Sequence, residues 1–288
     1  MARRATFIDS LRHWGTEFLL IDGGSFSHKS KNNMPETVAT WREMDRLGYD
    51  AITLGVEEIG YWQETDSLRA SLDLPIVCTN LEQRQGDRWV PIGEPYRIVE
   101  HKGISVGILS VTNEIFMSET VLQKAGGEVR LLPPEETTHR VSRELAETCD
   151  LVVLLAHVDP GTMERYAQEF EHVDVILGGR NAPKDEGPQR YGHAIVNRSG
   201  TRGQYVANTR LILSPENEIV DYGGLNISLS TDIPEDPAVL AEVAKAEAEM
   251  AKLRNQRRRP ALPRNRELPV APGVHRQPLP RDRDKENE

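Results

Sequence analysis

The chain has 288 residues, which suffices for one domain of about 200 to 250 residues with a tail, or for two small domains. Apolar residues make up 38% of it, and no apolar run approaches the roughly 18 residues that a transmembrane helix needs, which excludes a helical membrane protein. The formal net charge of −10 argues against nucleic acid as the main partner.

Residues 1–15 lack the continuous apolar stretch of an export signal. They favour an amphipathic helix, with one side formed by Ala5, Phe7, Ile8 and Leu11. As written, the sequence therefore predicts a cytoplasmic protein. Cys78 and Cys149 adjoin apolar segments and are too few for a disulfide framework, so we expect two buried, inert thiols.

Strand-like and helix-like segments alternate through the first part of the chain. Strands are predicted over 17–24, 51–55 and 75–81, with one helix over 35–48 and a helical stretch ending near residue 72 between them. Such alternation is typical of a largely parallel sheet. Residues 96–111 interrupt it with two strand-like halves around a short connection, which predicts a hairpin.

The next part repeats the alternation and then turns entirely to strands. The predicted elements are a helix over 134–149, a strand over 151–157, a helix over 160–171, a strand over 173–179, and strands and turns over 193–230. We therefore expect an α/β fold of two packed β-sheets flanked by helices, in a domain that covers residues 1–232.

Residues 233–258 are predicted to form a C-terminal helix. Asp236 suits its N-cap, Pro237 suits its first turn, and apolar residues repeat at heptad spacing from Val239 to Leu253. Residues 259–288 are expected to be a disordered tail rich in Pro and Arg, because hardly any large apolar side chains follow Arg254.

The charge of this last stretch is opposite to that of the rest. Residues 254–288 hold nine Arg and one Lys against five acidic residues, a net charge of +5, which leaves −15 on residues 1–253. Segments 260–264 and 278–281 have the pattern of polyproline motifs that other proteins recognise, so the tail is one candidate for binding a protein partner. The alternative is a solvated linker with no partner.

Functional side chains in layered α/β sheets gather where the strands end, here at residues 22–25, 55–58, 156–159 and 178–181. The segment LLIDGGSF, a helix and LGYDAITLGVEEIGYW resemble the 5′-nucleotidase type of metallophosphatase, which reads LLLDAGD, helix, LGYDAVTLGNHEFDYG. Four later segments resemble that family in the same order up to about Ser230, namely PIVCTNL, VVLLAHVD, VDVILGGRNA and NRSGTRGQYVANTRLIL. The resemblance implies a metallophosphatase-like α/β/β/α sandwich.

The resemblance also implies a chemistry, the hydrolysis of phosphate esters in nucleotide catabolism. In that family two metal ions about 3.5–4 Å apart polarise the phosphoryl group and activate a water molecule. Their ligands are Asp and His of a first strand ending in DxH, the Asp of GD, the Asn of GNH, the His of SHxG and both His of GHxH. The His of GNH serves the transition state.

Mapped onto this sequence, most of these positions are substituted. Only His157 matches a ligand, while the others are occupied by Ser25 at the bridging Asp, Val56 at the Asn, Glu57 at the catalytic His, and Arg180 and Ala182 at the His pair. Valine and alanine have no donor atom for a metal, and a guanidinium repels a cation. A degenerate centre with no cofactor is therefore expected.

Residues 1–5 align with the helix that follows the DxH strand in relatives, so that first strand is expected to be missing and to leave an unpaired sheet edge. The other interpretation is a misplaced start in the gene model. An upstream segment would then carry the strand together with an export signal, and the protein would be exported.

Two functions follow from the resemblance. The first is a pseudoenzyme that acts as a binding or scaffold protein. The alternative is an active phosphoester hydrolase with a divalent metal in a reassigned or single site, for which the candidate ligands are Asp22, Glu57, Glu58, His157, Asp159 and His193. Against that site, Asp22 is expected to be structural, His157 a hydrogen-bonded rim residue, and the two glutamates solvated at a helix start.

Arg180 carries a further hypothesis. Its guanidinium, with His157 and in a wider site also Arg202 beside it, would bind a small anion or phosphate ester, because a fixed planar cation can replace the charge of a lost metal ion. The competing interpretations are an internal ion pair between Arg180 and Glu57, and a solvent-exposed Arg180.

Overall fold

The computed structural model describes residues 1–27, 33–178 and 184–257. The predicted tail over 259–288 lies outside the described residues, and so do Arg180 and Ala182. The described strands are β1 (Ile21–Asp22), β2 (Ala51–Ile52), β3 (Leu81–Gln85), β4 (Arg88–Pro91), β5 (Arg97–His101), β6 (Ile104–Thr112), β7 (Val129–Leu131), β8 (Leu151–His157), β9 (Val175–Gly178), β10 (Gln189–Tyr191), β11 (Ala194–Asn197), β12 (Tyr205–Val206), β13 (Arg210–Leu213), β14 (Ile219–Gly223) and β15 (Ile227–Ser228). The described helices are α1 (Ala2–His13), α2 (Met34–Leu47), α3 (Val56–Gly60), α4 (Asp66–Arg69), α5 (Glu119–Lys124), α6 (Pro134–Ala146), α7 (Pro160–Glu169) and α8 (Pro237–Arg257).

The main sheet has six strands in the order β10-β11-β9-β8-β6-β5. Its four inner strands are parallel, and the two outer strands, β10 and β5, are antiparallel to their neighbours. All seven residues of β8 are buried, as expected for a strand covered on both faces. The hairpin predicted over 96–111 is confirmed as β5 and β6.

The second layer contains β1 and β2, which are parallel, and the hairpin of β13 and β14. Ile76 continues this layer through a parallel bridge to Ile52. A cluster of apolar side chains joins the two layers, and it includes Ala51, Val77, Ile108, Val153 and Leu155, with Leu211 and Leu213 at its margin. Among the strands that the structure describes, β1 is paired with β2 alone.

Helices cover both outer faces. The apolar faces of α6 and α7 pack on the main sheet through side chains such as Val141, Tyr166 and Phe170. On the opposite side, α1, α2 and α8 pack beside β1 and β2 through Ile8, Met44 and Val239. The expected sandwich of two sheets flanked by helices is therefore confirmed.

Two sequence predictions differ from the structure in extent. The helical stretch predicted up to residue 72 consists of two short helices, because α3 ends at Gly60, a weak helix former, and the chain turns before α4. The strand predicted over 75–81 makes single bridges at Ile76 and Val77, and regular pairing begins only at its last residue, Leu81, with the start of β3. Pro75 has no N–H to donate and so limits pairing at this point.

The cysteine prediction holds for one residue and is wrong in part for the other. Cys78 is buried, and burial raises the pKa of its thiol to about 12, which makes it unreactive. Cys149 is only half-buried, because it follows the end of α6 at the margin of the apolar cluster rather than inside it.

The first and last helices of the described chain, α1 and α8, pack against each other. Along α8 the buried residues are Val239, Ala246 and Met250, which lie on the predicted heptad stripe. Its N-cap, Asp236, accepts hydrogen bonds from the N–H groups of Ala238 and Val239, and its own N–H donates to the carbonyl of Ala2 at 3.3 Å. In the part of the chain that the structure describes, no helix has the length and apolarity needed to cross a membrane.

Candidate functional site

The ends of β1, β2, β8 and β9 meet at one edge of the sandwich. The carbonyl of Gly23, just after β1, lies 3.3 Å from Nδ1 of His157 at the end of β8. Gly23 also approaches Gly178 of β9 so closely that a Cβ at position 23 would lie 3.2 Å from the Gly178 Cα. A Cβ on Gly24 would come within 3.0 Å of the backbone of Gly55. The positions that the sequence places at strand ends are therefore in mutual contact.

Ser25 lies at the centre of this edge. Its hydroxyl donates a hydrogen bond of 2.7 Å to a carboxylate oxygen of Glu57 and lies 3.4 Å from Nε2 of His157. Its backbone has a φ of 59°, in the left-handed region that serine seldom adopts. The serine therefore occupies a constrained turn, with its side chain directed between a carboxylate and an imidazole.

Glu58 fastens two of the loops at this edge. The side chain accepts hydrogen bonds from the backbone N–H groups of Ser25, Ser27 and Gly55, at 3.0, 2.6 and 2.7 Å. Burial raises the pKa of Glu58, and the hydrogen bonds from Ser27 and Gly55 act in the opposite direction. The carboxyl thus joins the turn after β1 to the start of α3.

The prediction that Glu57 and Glu58 are solvated at a helix start is therefore wrong. They are only 7% and 1% exposed, although they do lie in the first turn of α3. The helix begins inside the edge rather than at the surface, so that protein N–H and O–H groups take the place of water around both carboxyl groups. Glu58 is the third residue of α3 and accepts the N–H of Gly55 at the N-cap, which is the glutamate half of a capping box; the sequence lacks the Ser or Thr that would have indicated it.

His157 is held from several sides. It is 2% exposed, and the ring of Phe116 packs edge-on against the imidazole at 5.6 Å between centroids. The hydroxyl of Thr112 donates to the carbonyl of His157. A backbone carbonyl can only accept a hydrogen bond, so the contact with Gly23 favours a proton on Nδ1. The expected hydrogen bonding of His157 is therefore present, but the side chain is buried and does not lie at the rim.

Asp22 has a structural role, as expected. One carboxylate oxygen accepts the N–H of Gly24 at 2.9 Å, and the other lies 3.5 Å from the guanidinium of Arg4 on α1. Burial raises the pKa of Asp22, and the charge of Arg4 opposes that effect. Arg4 also donates to the hydroxyl of Tyr49, so this group anchors α1 to the second layer.

Two other candidate ligands face elsewhere. Asp159 caps α7, with its carboxylate accepting hydrogen bonds from both the N–H and the hydroxyl of Thr162. His193 contacts the carbonyl of Phe170 at 2.7 Å. Within residues 1–27, 33–178 and 184–257, no three His, Cys, Asp or Glu side chains form a group that could hold a metal ion. The single cation site that the sequence suggested does not assemble from these residues.

The remaining predicted site residues lie as follows. Val56 is the first residue of α3, directly before Glu57. Arg202 is exposed in a turn and has a φ of 61°. Its neighbour Gly203 adjoins the Arg4 guanidinium, to which a Cβ at position 203 would come within 2.7 Å. The turn therefore lies over α1, and the described contacts do not join Arg202 to His157.

A buried ion pair next to β11 was missed in the sequence. Arg198 and Asp185 are 7% and 6% exposed, and the guanidinium donates to both carboxylate oxygens at 2.8 to 3.0 Å. Arg198 also contacts Glu164 at 3.0 Å. Asn226 donates to the carbonyl groups of Asp185 and Arg198. No spacing in the sequence marks these residues as partners.

Comparison with known proteins agrees with this architecture, although no protein-family model matches the chain. A 5′-nucleotidase of Diplobatis ommata is 26% identical over 278 residues, which is 87% of this chain and 47% of the relative. A 5′-nucleotidase precursor of Thermus thermophilus has a similar structure, with a TM-score of 0.74 and 21% identity over 88% of this chain and 54% of that one. For the calcineurin-like phosphoesterase YfkN of Bacillus subtilis, the TM-score is 0.67 and the identity 19%, covering 88% of this chain and 90% of that one.

The chain spans about half the length of the curated relatives it matches. The similarity in sequence extends over most of this chain, and the similarity in fold covers the same extent. In sequence the chain is therefore similar to 5′-nucleotidases, and it shares the fold of 5′-nucleotidase and calcineurin-like phosphoesterase structures.

Proposed function

We propose that this protein is a degenerate metallophosphatase that has lost two-metal hydrolysis and serves as a binding or scaffold protein. The observation that carries the proposal is the hydrogen bond that Ser25 donates to Glu57. Ser25 occupies the position where the resemblance places the carboxylate that bridges the two metal ions. A bridging ligand must present negatively charged oxygen to two cations, which a neutral hydroxyl engaged as a donor does not do.

The other residues at the ligand positions point the same way. Val56 has no donor atom, and Arg180 and Ala182 are a cation and a methyl group by their chemistry. His157 alone keeps the family's residue type, and one histidine does not hold two ions. The residues at the mapped positions thus do not fit the dinuclear centre.

The first test is a metal and activity measurement on the full chain. We expect less than one equivalent of Mn, Zn, Fe or Ni per chain, and no metal-dependent hydrolysis of nucleoside monophosphates or p-nitrophenyl phosphate. The companion variant is His157→Ala, which removes the one family ligand and so shows whether any residual metal-dependent rate arises at this edge. Turnover that a chelator abolishes and a metal restores would instead support the active hydrolase with a reassigned or single metal site.

For the ligand we propose a small anion or phosphate ester, held by Arg180 with His157 beside it and, in a wider site, also by Arg202. The chemical support is that a guanidinium supplies the positive charge of a lost cation and presents paired donors to phosphate. Arg202 is exposed and therefore accessible to a ligand. We expect this site to bind its ligand with low affinity, with a dissociation constant of about 1 mM.

Calorimetric titration with phosphate, AMP and sulfate tests the anion site. We expect binding to wild type, a loss of at least about tenfold in Arg180→Ala, and a smaller loss in Arg202→Ala. Absence of binding to wild type would contradict the site. If Arg180→Ala and Glu57→Ala also destabilised the protein non-additively, the internal ion pair would account for Arg180.

A further inference from the structure

We infer that the hydrogen bond from Ser25 to Glu57, with the imidazole of His157 in contact with the same hydroxyl, forms a latch that fastens three strand ends where the resemblance places metal ions, so that the edge is stable without a cation. This inference rests on the proposed loss of the metal centre and states what replaced it. Glu57 belongs to α3 after β2, Ser25 to the turn after β1, and His157 to the end of β8. The latch therefore links both layers of the sandwich.

The distances within the latch are those of direct contacts. Ser25 donates to Glu57 over 2.7 Å, a length typical of a hydroxyl bound to a carboxylate. On its other side the hydroxyl lies 3.4 Å from the imidazole, and the same imidazole reaches the carbonyl of Gly23. A chain of contacts thus runs from α3 through Ser25 to β8 and back to the turn after β1.

The charges at the latch explain why a serine suits this position. Glu57 and Glu58 bring two carboxyl groups to the edge, and both are nearly inaccessible to water. Glu58 already takes the backbone N–H of Ser25. A third carboxyl at position 25 would bring a like charge to hydrogen-bond distance of Glu57, which is unfavourable at a buried edge. A serine places a donor there instead.

The backbone makes a matched experiment possible. Asn and Asp both adopt the left-handed region more readily than Ser, so Ser25→Asn and Ser25→Asp place side chains of equal size on the same backbone. Only Asn can donate to Glu57, and only Asp adds a charge. Comparing the two variants therefore isolates the electrostatics of the latch from its shape.

We expect Ser25→Asp to melt at least about 5 °C below Ser25→Asn at pH 8 in metal-free buffer. Equal melting temperatures of the two variants would overturn the inference. These are stability readouts, so their failure is distinct from a failure of the hydrolysis test.

A second comparison covers the case in which Ser25→Asp does not fold. Ser25→Ala and Glu57→Gln each interrupt the same hydrogen bond, so their combined shift in melting temperature should be smaller than the sum of the two single shifts. Strict additivity would show that the two side chains do not act together and would overturn the latch. The cycle needs no metal and no substrate.

Discussion

Replacement of Gly55 by alanine is expected to destabilise the protein by about 3 kcal/mol, because the site edge has no room for one more carbon atom. A Cβ at this position would lie 2.2 Å from the hydroxyl and 2.6 Å from the backbone nitrogen of Ser25, and 2.8 Å from the imidazole of His157. Gly55 has a φ of −108°, which alanine adopts freely, so the cost is one of packing and not of backbone strain. Chemical denaturation monitored by circular dichroism measures it.

Gly60→Ala is the matched control for this substitution. Gly60 is the last residue of the same short helix, and a Cβ there would meet no atom within 4 Å. Alanine also restricts the unfolded chain more than glycine does, so we expect this variant to be neutral or up to about 1 kcal/mol more stable. Equal destabilisation by the two alanines would mean that the site edge is less closely packed than the contacts of Gly55 indicate.

Loss of the carboxylate of Asp185 is expected to cost about 3–5 kcal/mol. In Asp185→Ala the guanidinium of Arg198 stays buried but loses its bidentate partner, and it keeps only contacts with the half-exposed Glu164 and the hydroxyl of Tyr191 among the described residues. Removing one member of a buried pair leaves an uncompensated charge, which is far costlier than the pair itself is favourable. Urea unfolding of wild type and variant gives the difference in free energy.

An exposed ion pair supplies the comparison. Lys245 and Glu242 form a pair within α8, with side chains 71% and 56% exposed. Such pairs contribute little, so Glu242→Ala is expected to change the free energy of unfolding by about 0.5 kcal/mol or less. A cost below about 1 kcal/mol for Asp185→Ala would show that Arg198 finds water or another partner, contrary to its burial.

The sequence predicted the layers and the strand ends well, because both depend on local patterns. The alternating segments of β1, β2, β6, β8 and β9 show the periodicity of buried strands, and each ends in glycine or a polar turn. The family resemblance then placed Ser25, Glu57 and His157 at one edge, and the structure brings them into contact.

What the sequence did not predict depends on pairing between distant residues. Arg198 and Asp185 look like ordinary polar residues of a β-rich segment, and only the fold makes them a buried pair. The burial of Glu58 is similar, since its donors include residues more than 30 positions away. Asp22, Asp159 and His193 do not come together as a cation site, because each side chain contacts groups close to it. These are the N–H of Gly24, Thr162, and the carbonyl of Phe170.

The junction between α1 and α8 has a consequence for biosynthesis. The apolar side of α1, with Ala2, Ala5 and Ile8, leaves the ribosome long before α8, yet Val239 of α8 belongs to the same apolar cluster. The ion pair between Arg3 and Glu235, at 3.3 Å, likewise cannot form before Glu235 has been synthesised. Contacts of such sequence separation close slowly, because the loop entropy is lost before they form. The nascent chain can therefore pack α1 against Met44 and Leu47 of α2 early, but the side of this cluster that α8 covers stays exposed until α8 has been synthesised.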